Sequence, residues 1–215
     1  MLRRFLTRAL ILGLGALAFP LVAPTDAAAS VSIAVGFENL VKDADAVAVI
    51  TPGEHQCVWE DGKIITYTKV HVDQGVAGDV GGADTWVRTR GGVVGQIGQL
   101  VDGEPVLTED KPSLLFLRKF KTGGIYEVSA RAQGQYPLKI DEATKAKRIV
   151  RAGSVGMILP PKNEVTKPIG PIQPQSTTTQ AVAVRLALEV LHDKPLDDMA
   201  REIATTWKRL HLPAK

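Results

Sequence analysis

The sequence predicts a mainly β protein, a small barrel or sandwich of about seven short strands followed by a C-terminal α-helical hairpin. Three observations carry this. Short runs rich in Val, Thr, Ile and Tyr recur at close intervals between Ala46 and Arg151. Gly-rich turns separate them, a spacing that favours a closed or sandwiched antiparallel sheet over a parallel α/β sheet. After Leu159 the composition changes, first to proline and then to apolar residues at helical spacing.

The chain opens with the three parts of an export signal. Arg3, Arg4 and Arg8 form a positive head, Leu10 to Phe19 a short apolar run, and Ala27, Ala28 and Ala29 a small-residue cleavage site. The apolar run is shorter than the ~20 residues a membrane-spanning helix needs. Residues 1–29 are therefore expected to be a cleaved signal peptide, and the mature protein to be periplasmic or secreted. Loss of three Arg and of Asp26 lowers the formal net charge of the chain from +3 to about +1. A near-neutral domain has no general electrostatic hold on phosphate backbones, so nucleic acid is not an expected partner. Cys57 is the single cysteine, which excludes an intramolecular disulfide. About 185 mature residues are enough for a packed core without one.

In chain order, Phe37, Leu40 and Val41 stand at helical spacing. Ala46 to Ile50 is an uninterrupted apolar run of the kind buried strands show, which Pro52-Gly53 is expected to end. Asp61-Gly62 lies between two strand-like runs and suits the left-handed backbone of a two-residue hairpin turn. That turn sets Trp59 opposite Ile64, Cys57 opposite Thr66 and His55 opposite Thr68. Strands are expected over Ile64 to Asp73, Thr85 to Thr89, Ser113 to Phe120, Ile125 to Ala130, Tyr136 to Ile140 and Lys147 to Arg151. Gly91-Gly92 and Thr122-Gly123-Gly124 read as turns between them.

The domain reading is a β domain over 30–159, a Pro-rich connector over 160–176 and a helical tail over 177–215. Thr177 with Gln180 resembles a capping box, and Val184, Leu188 and Leu191 share one face of the helix it would start. A second helix begins near Pro195, a favourable first-turn residue. Its Leu196, Met199, Ala200, Ile203, Trp207 and Leu210 form one stripe. The stripe is expected to dock on the β domain, with a partner groove or a membrane surface as the other possible homes.

Residue patterns that carry chemistry are few. Strand alternation places His55, Cys57 and Trp59 on one face with Val70 and Val72, which reads as core, and His71 on the other. A zinc site needs three or four convergent ligands, and the third His points away. The reading for Cys57 is a small buried hydrophobe beside Trp59. Its rival is a thiol-dependent hydrolase using Cys57 with His55 as base. His192 and His211 read as surface or capping residues. Asp102-Gly103-Glu104 and Asp197-Asp198 read as a turn and a helix start. The sequence has no G-x-S-x-G, H-E-x-x-H or phosphate loop. No catalytic, cofactor-binding or metal-binding residue is assigned, and no cofactor is expected.

Several of these features recur together. They are the strand after Ala44-Asp45, Trp59, Thr66-Tyr67-Thr68-Lys69-Val70, Gly75 to Gly78, Arg90-Gly91-Gly92, Val101 to Pro105, Leu114 to Leu117 and Gln133-Gly134. In this order the stretch from Ala44 to about Ile140 resembles a group of bacterial secreted proteins of unknown function. More distantly it is similar to the OB-like barrel of netrin modules and tissue inhibitors of metalloproteinases. The resemblance implies an OB-like barrel; the functional expectation set beside it is an exported, non-catalytic binding or interaction module, with a secreted protease or another envelope protein as partner. It departs from those inhibitors in two respects: they chelate the protease zinc through an N-terminal Cys and carry several disulfides, whereas here the expected mature end is Ser30 and the single Cys57 is internal, so the analogy is one of fold.

Overall fold

The computed structural model describes residues 31–120, 124–161 and 184–212. The expected signal peptide, the Thr177–Gln180 capping box, most of the Pro-rich connector and part of the Thr122-Gly123-Gly124 turn lie outside those residues. In chain order the elements are β1 (Val31–Ile33), α1 (Phe37–Lys42), β2 (Ala46–Glu60), β3 (Lys63–Gly78), β4 (Asp84–Arg90), β5 (Gly92–Val94), β6 (Ile97–Gln99), β7 (Ser113–Lys119) and β8 (Ile125–Val128). A 3₁₀ turn at Arg131–Gly134 leads to β9 (Gln135–Ile140), β10 (Lys147–Ile149), β11 (Met157–Leu159), α2 (Ala187–Leu191), β12 (Lys194–Pro195) and α3 (Leu196–His211).

The protein is mainly β with a helical C-terminus. Five strands form a ring in the order β2, β3, β4, β8, β7 and back to β2. All neighbours in the ring are antiparallel except β4 and β8. This is a small OB-like barrel. Beyond β7 the sheet continues outward through β9, β10 and β12.

Two cores share β2. Ala46, Ala48 and Ile50 point into the barrel with Val70, Val87 and Leu115. Val47 and Val49 point outward, into a second cluster with Phe37, Leu40, Phe116 and Ile203. Burial on both faces explains why Ala46 to Ile50 is a continuous apolar run instead of an alternating one. α1 buries the three residues read at helical spacing, Phe37, Leu40 and Val41.

The helical tail docks on this outer face. Leu196 and Ile203 are buried in the outward cluster, and Met199 and Trp207 pack against it. Leu210, at the far end of the stripe, is more exposed. Two details differ from the sequence reading. Pro195 is extended and precedes α3 as its N-cap instead of occupying the first turn. The helix that holds Leu188 and Leu191 begins at Ala187 and does not include Val184, because Arg185 and Leu186 run extended beside Val35 to Phe37. There Phe37 N–H donates to Arg185 O at 2.7 Å, Ala187 N–H donates to Val35 O at 3.0 Å, and Gly36 bridges Leu186.

A third difference is that Pro52-Gly53 does not end β2, which runs on to Glu60. Pairing of β2 with β7 covers only Ala46 to Ile50, so the N–H that Pro52 lacks would face an edge with no strand beside it. Pro52 O on that edge accepts from Asp110 N–H at 2.9 Å.

Candidate binding cleft

The β2–β3 hairpin is far longer than its neighbours. β2 and β3 have 15 and 16 residues, whereas β4 and β7 have 7 each. Its distal half is flanked on one side only: β3 pairs with β4 over Ile65 to His71, whereas β2 pairs with β7 only over Ala46 to Ile50. Asp61 and Gly62 form the tip with φ of +48° and +74°, the conformation a two-residue hairpin turn demands. The register is the one the turn predicts: Trp59 opposite Ile64, Cys57 opposite Thr66, His55 opposite Thr68.

A bulge sets which residues look inward. Pro52 pairs with Val70 and His55 with Thr68, so Gly53 and Glu54 together face Lys69. The extra residue shifts the alternation by one. Even-numbered residues face the barrel interior up to Pro52, and odd-numbered residues do so from His55 onward. His55, Cys57 and Trp59 thus share the inner face, as the sequence indicates. The expectation that this face is core needs correction: Trp59 is 50 % exposed, His55 is exposed and Cys57 is half-buried. Ile64, Thr68 and Val70 on the β3 side of this face are buried, whereas the β2 side lies along an edge that, among the described residues, has no strand beside it after Ile50.

An open cleft of about 470 Å³ lies there instead. Its floor includes His55, Cys57, Thr66, Thr68 and Thr89, and its roof is the 91–107 segment that holds β5 and β6. The roof is tied down at several points. Gly91 N–H donates to Ile64 O at 2.8 Å, and Ile64 N–H donates to Gln99 Oε1 at 2.6 Å. Glu104 accepts from Arg90 N–H at 3.1 Å and from Arg131 Nε at 2.7 Å. Gln135, buried, accepts from Val106 N–H at 2.9 Å through Oε1 and donates to Val106 O at 2.6 Å through Nε2. Gln133 does the same for the N-terminal segment, holding Val35 N–H and Ile33 O. Between them, Gly134 lets the chain pass close to Ser129, whose carbonyl oxygen would lie 2.0 Å from any Cβ there.

The thiol is engaged within the cleft. Thr66 Oγ1 donates its one proton to Gly91 O at 2.6 Å and lies 3.2 Å from Cys57 Sγ. The hydroxyl proton being used, the S–H of Cys57 is the donor of that pair. Gly92 (φ +129°) passes directly over both, and a Cβ at this position would meet Thr66 Oγ1 at 2.4 Å and Cys57 Sγ at 2.7 Å. Apolar side chains crowd the rim. Leu100 is 91 % exposed, and Val93, Ile97 and Val106 are exposed by more than half.

The outer face of the same hairpin carries a polar network centred on Arg88 of β4, whose Nε is buried without a hydrogen-bond partner. Arg88, 12 % exposed, bonds Glu60 at 2.9 Å and Glu127 at 2.7 Å and lies 4.4 Å over the Phe120 ring. Tyr67 donates to Glu60, and its phenol is held above its ordinary pKa by burial first and by that carboxylate second. Burial alone would lower the Arg88 pKa, but hydrogen bonds with Glu60, Tyr67 and Glu127 outweigh it and raise it.

The remaining histidines stand apart. His71 pairs with Asp84 at 2.9 Å on the surface, His192 accepts from Arg151 N–H at 3.1 Å, and His211 stacks on Trp207. Glu104 of the predicted turn is a tether of the roof, and Asp197 and Asp198 open α3. Among the described residues no three His, Cys, Asp or Glu side chains converge as metal ligands, and no helix is long and apolar enough to cross a membrane. A second hollow of about 470 Å³, between the β1–β11 pair and α2, reaches Pro160 and Leu186 near the ends of residues 162–183 and is not taken as a site. No protein-family model, curated protein or solved structure matches the chain.

Proposed function

We propose that the protein is an exported, non-catalytic binding module that holds a protein partner, a secreted protease or another envelope protein, at this cleft. The observation that carries it is the apolar rim: Val93, Leu100 and Val106 line an open concavity and leave large apolar surface in water, and Trp59 and Ile97 are exposed on the strands that border it. Scattered exposed apolar residues are ordinary, but a cluster at a concavity is the mark of an interaction site. The Arg-rich head with the Ala27 to Ala29 site supports export. The near-neutral mature charge disfavours nucleic acid.

Photo-cross-linking from the rim in the native envelope tests the proposal. A cross-linker at Leu100 or Val106 should yield one discrete adduct, and a cross-linker at exposed Ile140 on β9 should yield none. Equal labelling from Ile140 would refute it. Mass spectrometry of the exported form should find a chain starting at or near Ser30.

One observation favours the hydrolase reading: His55 and Cys57 line the same cleft. Against it stand the donor role of the thiol toward Thr66 and the Gly92 backbone above it. Iodoacetamide should therefore label native Cys57 slowly and denatured Cys57 fast. Rapid native labelling that His55→Ala slows would restore the hydrolase.

A further inference from the structure

We infer that the cleft receives its partner by strand addition: an extended peptide segment of the partner pairs with the free edge of β2 at His55, Cys57 and Trp59. This rests on the binding reading above and specifies its chemistry. β2 pairs with β3 along both flanks of the bulge, but with β7 only as far as Ile50. Among the described residues, Gly53 to Trp59 have no strand on the second side.

Hydrogen-bond parity tells which groups that edge offers. A two-residue turn makes Glu60 and Lys63 a hydrogen-bonded pair, so Trp59 and Ile64, Cys57 and Thr66, and His55 and Thr68 are non-hydrogen-bonded pairs. Ile64 shows this directly, since both its N–H and its C=O leave the hairpin, toward Gln99 and Gly91. The N–H and C=O groups of His55, Cys57 and Trp59 therefore point away from β3, toward the open edge. Their side chains share one face of β2, and those of His55 and Cys57 line the cleft, so a strand added there would place alternate side chains beneath the apolar roof.

The edge also selects its occupant. His55 to Trp59 contains no Asp, Glu, Lys or Arg, while Glu54, Glu109, Lys111 and the Asp110 that bonds Pro52 are exposed at its base, three acids to one base. A matching strand is uncharged and partly apolar in its middle and basic at the end near Pro52. Self-pairing of two copies about Cys57 would set Glu54 of each against Glu60 of the other, a like-charge opposition that a foreign strand avoids.

Amide hydrogen exchange on the full mature chain tests this, with the acetylated peptide Lys-Thr-Val-Thr-Val-Thr-Lys as probe and its Glu-flanked analogue as control. In the free protein the amides of Gln56 and Val58 should exchange slowly, and those of His55, Cys57 and Trp59 fast. Saturating Lys-flanked peptide should slow these three by about tenfold or more, with the Glu-flanked peptide weaker. His55→Pro, which removes an outward donor and no β2–β3 bond, should weaken peptide binding while leaving the Gln56 and Val58 amides protected. Three amides still fast at saturating peptide would overturn strand addition. The cross-links from Leu100 would then still report on the cleft, so the two failures are distinguishable. Protection that appears without peptide and grows with protein concentration would put a second copy on the edge and overturn the assignment to a foreign strand.

Discussion

Ile203→Ala tests whether α3 is part of the protein's own core. Ile203 is completely buried in the outward cluster, where it shares neighbours with Phe37 of α1, Val49 of β2 and Phe116 of β7. Cutting a buried Ile to Ala removes apolar contact and leaves a cavity, at a cost of ~2–5 kcal/mol. For a domain of this size 1 kcal/mol moves the melting temperature by about 2–4 °C, so the variant should melt about 4–20 °C lower. Leu210→Ala is the internal control. It lies on the same helix and stripe but is 36 % exposed, so its loss should be under ~1 kcal/mol. Thermal melts by circular dichroism, with urea midpoints to confirm constant m, measure both. Equal melting of Ile203→Ala, Leu210→Ala and the parent would refute docking of the helix, and the stripe would have to find its cover elsewhere.

Three further outcomes follow from local geometry. Gly134→Ala pushes a Cβ against the Ser129 carbonyl at 2.0 Å and should cost at least ~1–3 kcal/mol, measured by urea unfolding. Gln135→Leu leaves Val106 N–H and C=O without their partner, at about 1–3 kcal/mol, and should raise the exchange rate of the Val106 amide more than that of Val47. Asp141 is held down to about 2 first by the Thr144 backbone N–H, then by Arg148 and the Thr144 side chain. A depressed carboxylate stabilises the fold above its unfolded value near 3.8, and that contribution disappears as pH falls toward about 2. Carboxyl titration by NMR should place the Asp141 midpoint near 2, and in Asp141→Asn the decline in stability over that interval should be shallower.

Much of the fold is written in local sequence. The apolar run Ala46 to Ile50, the Asp61-Gly62 turn and the stripe on α3 act through nearest neighbours, and each element stands where those signals place it. The pairing Cys57 with Thr66 follows from the turn alone. What was not legible depends on partners far along the chain. Exposure of Trp59 comes from β7 stopping short of it, a fact about strand lengths that no window around residue 59 contains. Gln133 and Gln135 hold Val35 and Val106, which are 98 and 29 residues away, through amide groups that imitate a strand and leave no periodic trace. Short β1 and β11, Val31 to Ile33 and Met157 to Leu159, pair in parallel across a still longer stretch of chain and carry too few residues to signal at all.

The bulge at Gly53 and Glu54 bears on how this protein tolerates insertions and deletions. Losing one residue at the bulge restores plain pairing and leaves His55, Cys57 and Trp59 facing the cleft as before. Gaining one between the bulge and the Asp61-Gly62 turn is different, because the turn fixes the register from its own side. The residues between the new position and the bulge would then swap faces, turning Glu54 or Gln56 inward and His55 outward. A single codon thus separates two clefts of opposite character on one unchanged barrel, and the direction of the length change decides which is reached.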